Sequence, residues 1–394
     1  MNKLPTILIV HNYYQIPGGE DTVVENEKKL LEANGHKVIL YTRNNSELKT
    51  FNKLQKILLG FTTIFSIKTY IEVRRIIKQQ KIDIVHTHNT WNLVSPSVYF
   101  SAFSCKVPVV QTIHNFRLLC PGATLYRDGE ICEDCINKGL RCAVKHKCYR
   151  RSLLQTLACV SMLLFHRSIG TYKRLNYICL TEFNLQKLLE LNRNGKKTIN
   201  GKKIFAKPNI VNVDVKIIPY VDRKNQFVFI GRLDKLKGID LLLEAWKGIE
   251  DFELIICGIG PEENYCREFI DKNHLTNVKM IGLIPNAKAI EIISESKALI
   301  LPTQWYEGFP ITIVESYASG TPVIGSDIGN VGNLIKENIT GLKFMHNSVD
   351  DLKISVLSLG DMVETTRDYY DFYYKPEDNY RKLMNIYKTI LNHS

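Results

Sequence analysis

The sequence predicts an α/β protein made of two doubly wound, Rossmann-like domains. Three observations carry that expectation. The chain has 394 residues, more than a single hydrophobic core ordinarily serves. Short, nearly continuous Val/Ile runs alternate with helical stretches from end to end, the pattern of parallel strands buried on both faces. These runs fall into two series on either side of residues 213–224, which are expected to be a linker.

The elements follow in order. TILIV (6–10) reads as the first strand, and after a loop a helix is expected from about 21 to 34. Val23, Val24, Leu30 and Leu31 lie on one side of it, and Gly35 closes it. KVILY (37–41), DIVHTH (83–88), VPVVQTIH (107–114) and YICLT (177–181) continue the first series. FVFIG (227–231), ELIICG (253–258), VKMIG (278–282), ALILP (298–302) and PVIGS (322–326) form the second. The expected domains are 1–212, carrying a cysteine-containing loop at 120–148, and 225–373. A last helix over 374–394 carries Leu383, Ile386, Tyr387, Ile390 and Leu391.

Composition excludes several classes. With 45% hydrophobic and 23% charged residues the chain is neither disordered nor fibrous. The longest strongly apolar run, 153–165, is broken by Gln155, Thr156 and Ser161 and falls short of the ~20 residues that span a bilayer. MNKLPTILIV reads as a buried strand rather than a signal peptide, so a cytoplasmic protein is expected.

The densest chemical signal follows strand 298–302, in TQWYEGFPITIVESYASGTPVIGSD. Glu307 falls in a loop at a strand's C-terminal end, where doubly wound folds bind ligands. Pro310 suits the first turn of the next helix, leaving the amides of Phe309, Ile311 and Thr312, next to Gly308, free to receive a diphosphate. Glu315, eight residues after Glu307, is placed to accept hydrogen bonds from a sugar's vicinal hydroxyls. In GRLDKLKG, after strand 227–231, Arg232 and Lys237 are a candidate cationic pair for phosphate oxygens, in a chain that contains no D-x-D metal motif.

The first series adds a Gly-Gly loop, PGGED, where Gly18 and Gly19 precede a helix start with Asp21 as the expected cap. It also places His114 at a strand end, with His86 and His88 at the preceding one as weaker candidates.

EGFPITIVE, GRLDKLKG, the Gly-Gly loop and QTIHN together resemble the family 4 glycosyltransferases, in the family's order and over essentially the whole chain. The resemblance implies two Rossmann-like domains facing across a cleft, the GT-B architecture, with the last helix, 374–394, returning to the first domain. It implies a retaining, metal-independent enzyme that moves a hexosyl group from a nucleotide-diphosphate sugar to an acceptor hydroxyl. It assigns Glu307 to donor-sugar hydroxyls, Glu315 to the ribose, Arg232 and Lys237 to the diphosphate, Gly19 to packing against it, and His114 to the donor sugar. The nucleotide base would lie near GIGP (258–261) and GLIPN (282–286), with uridine and guanosine both open. One departure is IGNVGNLI (328–335), which lacks the Pro-Glu of the family's Gly-Gly-x-Pro-Glu turn. The expected acceptor is a lipid-linked or polymeric glycan in bacterial surface-polysaccharide assembly. A nucleotide-sugar epimerase and a non-catalytic anionic-surface binder are the alternatives.

Five of the ten cysteines cluster in 120–148. Cys132-x2-Cys135, with Cys120 and Cys148, can make a closed structural zinc site; a loop of free thiols is the other reading. Finally, the net charge of +12 is uneven. Residues 1–200 carry 29 Lys/Arg against 14 Asp/Glu, and residues 201–394 carry 23 against 26. Segments 51–81 and 141–151 concentrate the excess. They are expected to meet an anionic membrane at its inner face rather than nucleic acid, since no nucleic-acid-binding signature accompanies the charge.

Overall fold

The computed structural model describes residues 4–15, 18–211, 213 and 215–392. The expected domain boundary at 212 and Pro17 of the Gly-Gly loop lie outside them. The chain divides into two compact units, Met1–Ile210 with Pro376–Ser394, and Val211–Lys375. Among the described residues no helix is long and apolar enough to cross a membrane.

The first unit is built on a parallel sheet of β1 (Ile7–Tyr13), β2 (Val38–Asn44), β3 (Ile84–Thr87), β4 (Val109–Ile113), β5 (Asn176–Cys179) and β6 (Ile204–Ala206). Their order is β2-β1-β3-β4-β5-β6, with Ile7 opposite Val38 on one side and Ile84 on the other. Ile7, Leu8, Ile9 and Val10 are all fully buried, which is why this strand reads as an unbroken apolar run.

Helix Gly19–Ala33 covers the sheet with Val23, Val24 and Leu31. It ends where Gly35 takes a φ of +84°, and the Gly35 and His36 amides donate to the carbonyls of Glu32 and Leu31. The last helix, Pro376–Asn392, places Leu383, Ile386, Tyr387 and Ile390 in one cluster with Ile7, Ile9, Val24 and Ile84. Each such side chain taken out of water contributes roughly 1.5–3 kcal/mol. That burial is what brings the chain's end back to the first unit.

The second unit holds β7 (Gln226–Ile230), β8 (Glu253–Cys257), β9 (Val278–Gly282), β10 (Ala298–Leu301), β11 (Val323–Ser326) and β12 (Gly341–Phe344). All are parallel, in the order β9-β8-β7-β10-β11-β12. Successive residues serve opposite faces. Phe227 and Phe229 pack with Trp246 on one face, while Val228 packs with Tyr317 on the other.

The stretch expected to be a linker lies within this unit. Buried Arg223 donates to the carbonyls of Ile218, Ser296, Ser319 and Gly320. A further helix, Val363–Tyr373, precedes the last one.

Candidate functional site

In the second unit the strand order reverses between β7 and β10, and the loops leaving the carboxyl ends of these neighbours lie where doubly wound folds bind ligands. Backbone geometry presses the two loops together. Gly238 has a φ of +70°, and a Cβ there would stand 1.8 Å from the Pro302 carbonyl oxygen.

This approach brings the first loop's lysine onto the second loop's glutamate. Lys237 Nζ donates to Glu307 Oε1 at 2.7 Å, and Thr303 Oγ1 and Trp305 Nε1 donate to the same oxygen at 3.1 Å each. Asn330 Nδ2 donates to the carbonyls of Glu307 and Gly308 at 2.6 and 2.7 Å, which fixes the loop's backbone.

Pro310 caps helix Ile311–Ala318, whose leading amides are those of Ile311 and Thr312; Phe309 packs partly buried against the core. Inside the helix, Glu315 is 8% exposed and accepts from Asn286 Nδ2 at 3.2 Å. Burial raises its carboxyl above the usual range, against the effect of that hydrogen bond. Arg232 pairs with a different carboxylate from Lys237. Its Nε donates to Asp234 Oδ2 at 2.5 Å while its side chain stays 64% exposed. Asp234 Oδ1 in turn accepts the Lys237 amide at 3.0 Å, which shapes the turn that carries the lysine.

In the first unit, Gly18 and Gly19 open the helix as expected, but the cap is Gly18 and not Asp21. Asp21 lies in the first turn and works backward from it. Its Oδ2 accepts the Gly18 amide at 3.1 Å, and its Oδ1 lies 2.7 Å from His11 Nε2. A carboxylate there complements the helix dipole as a cap would.

His114 stands one residue beyond β4, half-buried. It lines a cavity of about 60 Å³ with His88, Trp91, Gln111, Asn115 and Arg117. His88 and His86 are fully buried behind it, and His88 Nδ1 is 2.9 Å from His114 Nε2. Burial, with the neighbouring histidines, lowers the His88 imidazole to about 4 and holds that of His114 well below its ordinary value.

Two groups bear on metals. Among the described residues, Glu27, His86 and His88 have ligand atoms all within 4.8 Å of one another. Lys207 Nζ already stands 3.2 Å from Glu27 Oε2, so a cation is built into that cluster. No three cysteines meet the same spacing among the described residues. Cys120 and Cys135 are nonetheless buried side by side. A hydrogen bond from Cys135, aided by the backbone amides of Leu125, Gly122 and Ala123, holds the Cys120 thiol below its ordinary range. Cys132 and Cys148 lie nearby, half-buried.

Two families match the chain. That described as "Glycosyl transferases group 1" matches residues 213–370, and "Glycosyltransferase Family 4" matches residues 17–131. Together they span well over half of the sequence. The chain belongs to the family 4 glycosyltransferases. Membership places this glycosyltransferase apart from the epimerases expected as an alternative.

It is 30% identical to an uncharacterized glycosyltransferase of Methanocaldococcus jannaschii, over 34% of this chain and 37% of that protein. It is 25% identical to the UDP-Gal:alpha-D-GlcNAc-diphosphoundecaprenol alpha-1,3-galactosyltransferase of Escherichia coli, over 77% of this chain and 72% of that one. The fold is shared with Anabaena Alr3699/HepE, solved in complex with UDP. The TM-score is 0.68 at 13% identity, covering 98% of this glycosyltransferase and all of that chain.

Sequence reasoning passed over Thr303, Trp305 and Asn330 around Glu307, and over Asp234 and Asn286. Asp234 had a legible signal, an Asp three residues before Lys237 in a loop, the pattern of a side-chain-capped turn. Asn330 sits in the very turn that departs from the family's pattern, and supplies an amide there.

Proposed function

We propose that this glycosyltransferase moves a hexosyl group, with retention and without a catalytic metal, from a UDP- or GDP-linked sugar to a hydroxyl of a lipid-linked or polymeric glycan in bacterial surface-polysaccharide assembly. The observation that carries this reading is the Lys237–Glu307 pair beside the N-terminus of helix Ile311–Ala318. An ammonium and two unengaged helix amides make an anion site, and the adjoining carboxylate suits sugar hydroxyls.

The diphosphate would lie on Lys237 and the amides of Ile311 and Thr312, with exposed Arg232 at its edge. Charge accumulating on the departing diphosphate is stabilised by these fixed groups, the task a bound metal performs elsewhere. Glu307 holds donor-sugar hydroxyls, Glu315 the ribose, and His114 a hydroxyl of the reacting sugar. Gly18 and Gly19 keep the first helix start open to close approach. The E. coli relative's name, with its UDP-linked donor and lipid diphosphate acceptor, supports this donor and acceptor class.

Two further assignments belong to this reading. Cys120, Cys132, Cys135 and Cys148 hold a structural zinc, supported by amides directed at the Cys120 sulfur, a setting that favours thiolate. Segments 51–81 and 141–151 dock on the anionic inner face of a membrane, supported by their exposed cations and apolar side chains.

The test is a panel of UDP- and GDP-sugars scored for thermal stabilisation and hydrolysis. One donor is expected to stabilise and be consumed. Lys237→Ala, folded by circular dichroism, is expected to lose about 100-fold or more in turnover, the scale for removing one charge-stabilising group. Normal turnover by that variant overturns the assignment, and silence across the panel favours the non-catalytic binder.

A further inference from the structure

Beneath His114 lies a group of buried polar side chains that donor binding does not use. Glu27 projects from helix Gly19–Ala33 into the first unit and is 2% exposed. Its Oε2 is held by Lys207 Nζ at 3.2 Å, and its Oε1 lies 2.9 Å from His86 Nδ1 and 3.4 Å from His88 Nε2. His86 is engaged elsewhere, with Nδ1 2.7 Å from the Tyr387 hydroxyl and Nε2 2.7 Å from Thr112 Oγ1. Neither Glu27 Oε1 nor His88 Nε2 has a well-formed hydrogen bond, so two buried polar atoms are left facing one another. On its other side, His88 Nδ1 reaches His114 Nε2 at 2.9 Å.

We propose that Glu27 and His88 form a buried relay that holds His114 in a single tautomer, protonated on Nε2 and unprotonated on Nδ1, so that His114 meets the donor sugar as a hydrogen-bond acceptor. Glu27 and His88 are thus positioning residues for transfer. The proposal rests on the donor-sugar role given above to His114.

Protonation chemistry leads to this tautomer. His86 and Lys207 outweigh the effect of burial and hold the Glu27 carboxyl well below its usual range, so it is a carboxylate. His88 is neutral and carries one ring proton. Were that proton on Nδ1, the Nε2 lone pair would face the carboxylate. Placed on Nε2 it faces Glu27, and Nδ1 is left to accept from His114 Nε2–H. A neutral His114 then has only Nδ1 free to accept. A charged cluster is a poor way merely to fill a core, since well-packed apolar residues commonly do as well or better. Lys207 also argues against reading Glu27, His86 and His88 as a metal site, because its ammonium occupies the carboxylate's other oxygen.

The test reads the tautomer first. The imidazole ¹⁵N shifts of His114, assigned by their loss in His114→Gln, are measured without any sugar nucleotide. Protonated Nε2 and bare Nδ1 are expected; the reverse tautomer, or an imidazolium at pH 7, overturns the relay. This reading needs no activity, so it stands or falls apart from the donor assignment. Kinetics with the donor found in the panel follow. His88→Gln can donate to Glu27 through its amide and accept from His114 through its carbonyl, and is expected to keep kcat within a few-fold. His88→Leu is expected to mix the tautomers and lower kcat about tenfold with KM little changed, the loss of one oriented, charge-backed hydrogen bond. Unchanged kcat in a folded His88→Leu protein, or equal losses in the two variants, overturns the positioning role.

Discussion

Glu315, proposed above to bind the ribose, would set stability against function. The family resemblance implies a ribose ligand here, but the residue's burial is a property of the fold, and burial raises the carboxyl above its ordinary range. A folded-state value above the unfolded one means that the ionised side chain opposes folding. The protein therefore loses stability as pH rises from the usual carboxyl range, about pH 4, through the raised value. Glu315→Gln is expected to melt higher than the parent at pH 8, with the gain fading as pH falls toward 4. The same variant should bind the nucleotide about tenfold more weakly, because a charged acceptor for hydroxyls is lost. Calorimetry at several pH values and nucleotide titration check both parts, and a Tm gain independent of pH would contradict the cause given.

Single residues were legible where a motif dictates chemistry, and less so where geometry decides partners. Lys237 and Glu307 could be chosen from spacing, but not their direct contact, which depends on Gly238 lying against Pro302. Nor could spacing show that Asp234, two residues on, accepts from Arg232.

At the scale of elements, strands rich in Val and Ile were readable because both faces are buried. β6 (IFA) and β12 (GLKF) escaped, since a three- or four-residue edge strand carries too little pattern. The segment between β4 and helix Leu153–Ser168 posed the harder question. It consists of a two-residue hairpin, Tyr126–Arg127 with Glu130–Ile131, and the short helices Asp134–Asn137 and Arg141–His146. Such small pieces have little regular structure to hold them, although Leu119, Leu125, Leu140 and Ala143 are buried, and the zinc proposed for the four cysteines would add a cross-link. Zinc–sulfur bonds of about 2.3 Å in a tetrahedron would draw the four sulfurs closer together. Protein purified without added zinc is expected to carry about one equivalent per chain. Cys135→Ser is expected to lose it and to melt several degrees lower. Less than half an equivalent in the parent protein would leave these residues as free thiols.

For the whole molecule, the division into two series could be read from apolar periodicity, whereas the return of the last helix was implied by the family resemblance alone. Strand order could not, because it records which helix crosses which way and leaves no mark on composition. Charge asymmetry is also a whole-molecule property, and the structure gives it a companion. Helix Lys53–Thr62 has no buried residue; Leu54, Ile57, Leu58 and Phe61 are all exposed, Phe61 at 70%. It contacts helix Leu153–Ser168, where Leu154, Leu157, Leu164 and Phe165 are exposed, Leu154 at 78%. Lys53 and Lys56 lie on the first helix, and Lys147, Arg150 and Arg151 just precede the second, all exposed. Apolar side chains ringed by cations match an interface where acyl chains begin below anionic headgroups. Each cation near such a surface contributes about 1 kcal/mol, a force that salt screens, while each inserted side chain adds roughly 1.5–3 kcal/mol that salt does not. Sedimentation with anionic vesicles at low salt is therefore expected to exceed that with neutral ones and to fall, without vanishing, as salt rises. Replacing Phe61 and Leu154 together by Ser should weaken binding at least about tenfold at every salt concentration, leaving Tm unchanged because neither side chain is in the core. Equal sedimentation of the parent protein with both vesicle types would reduce the charge bias to ordinary surface solvation.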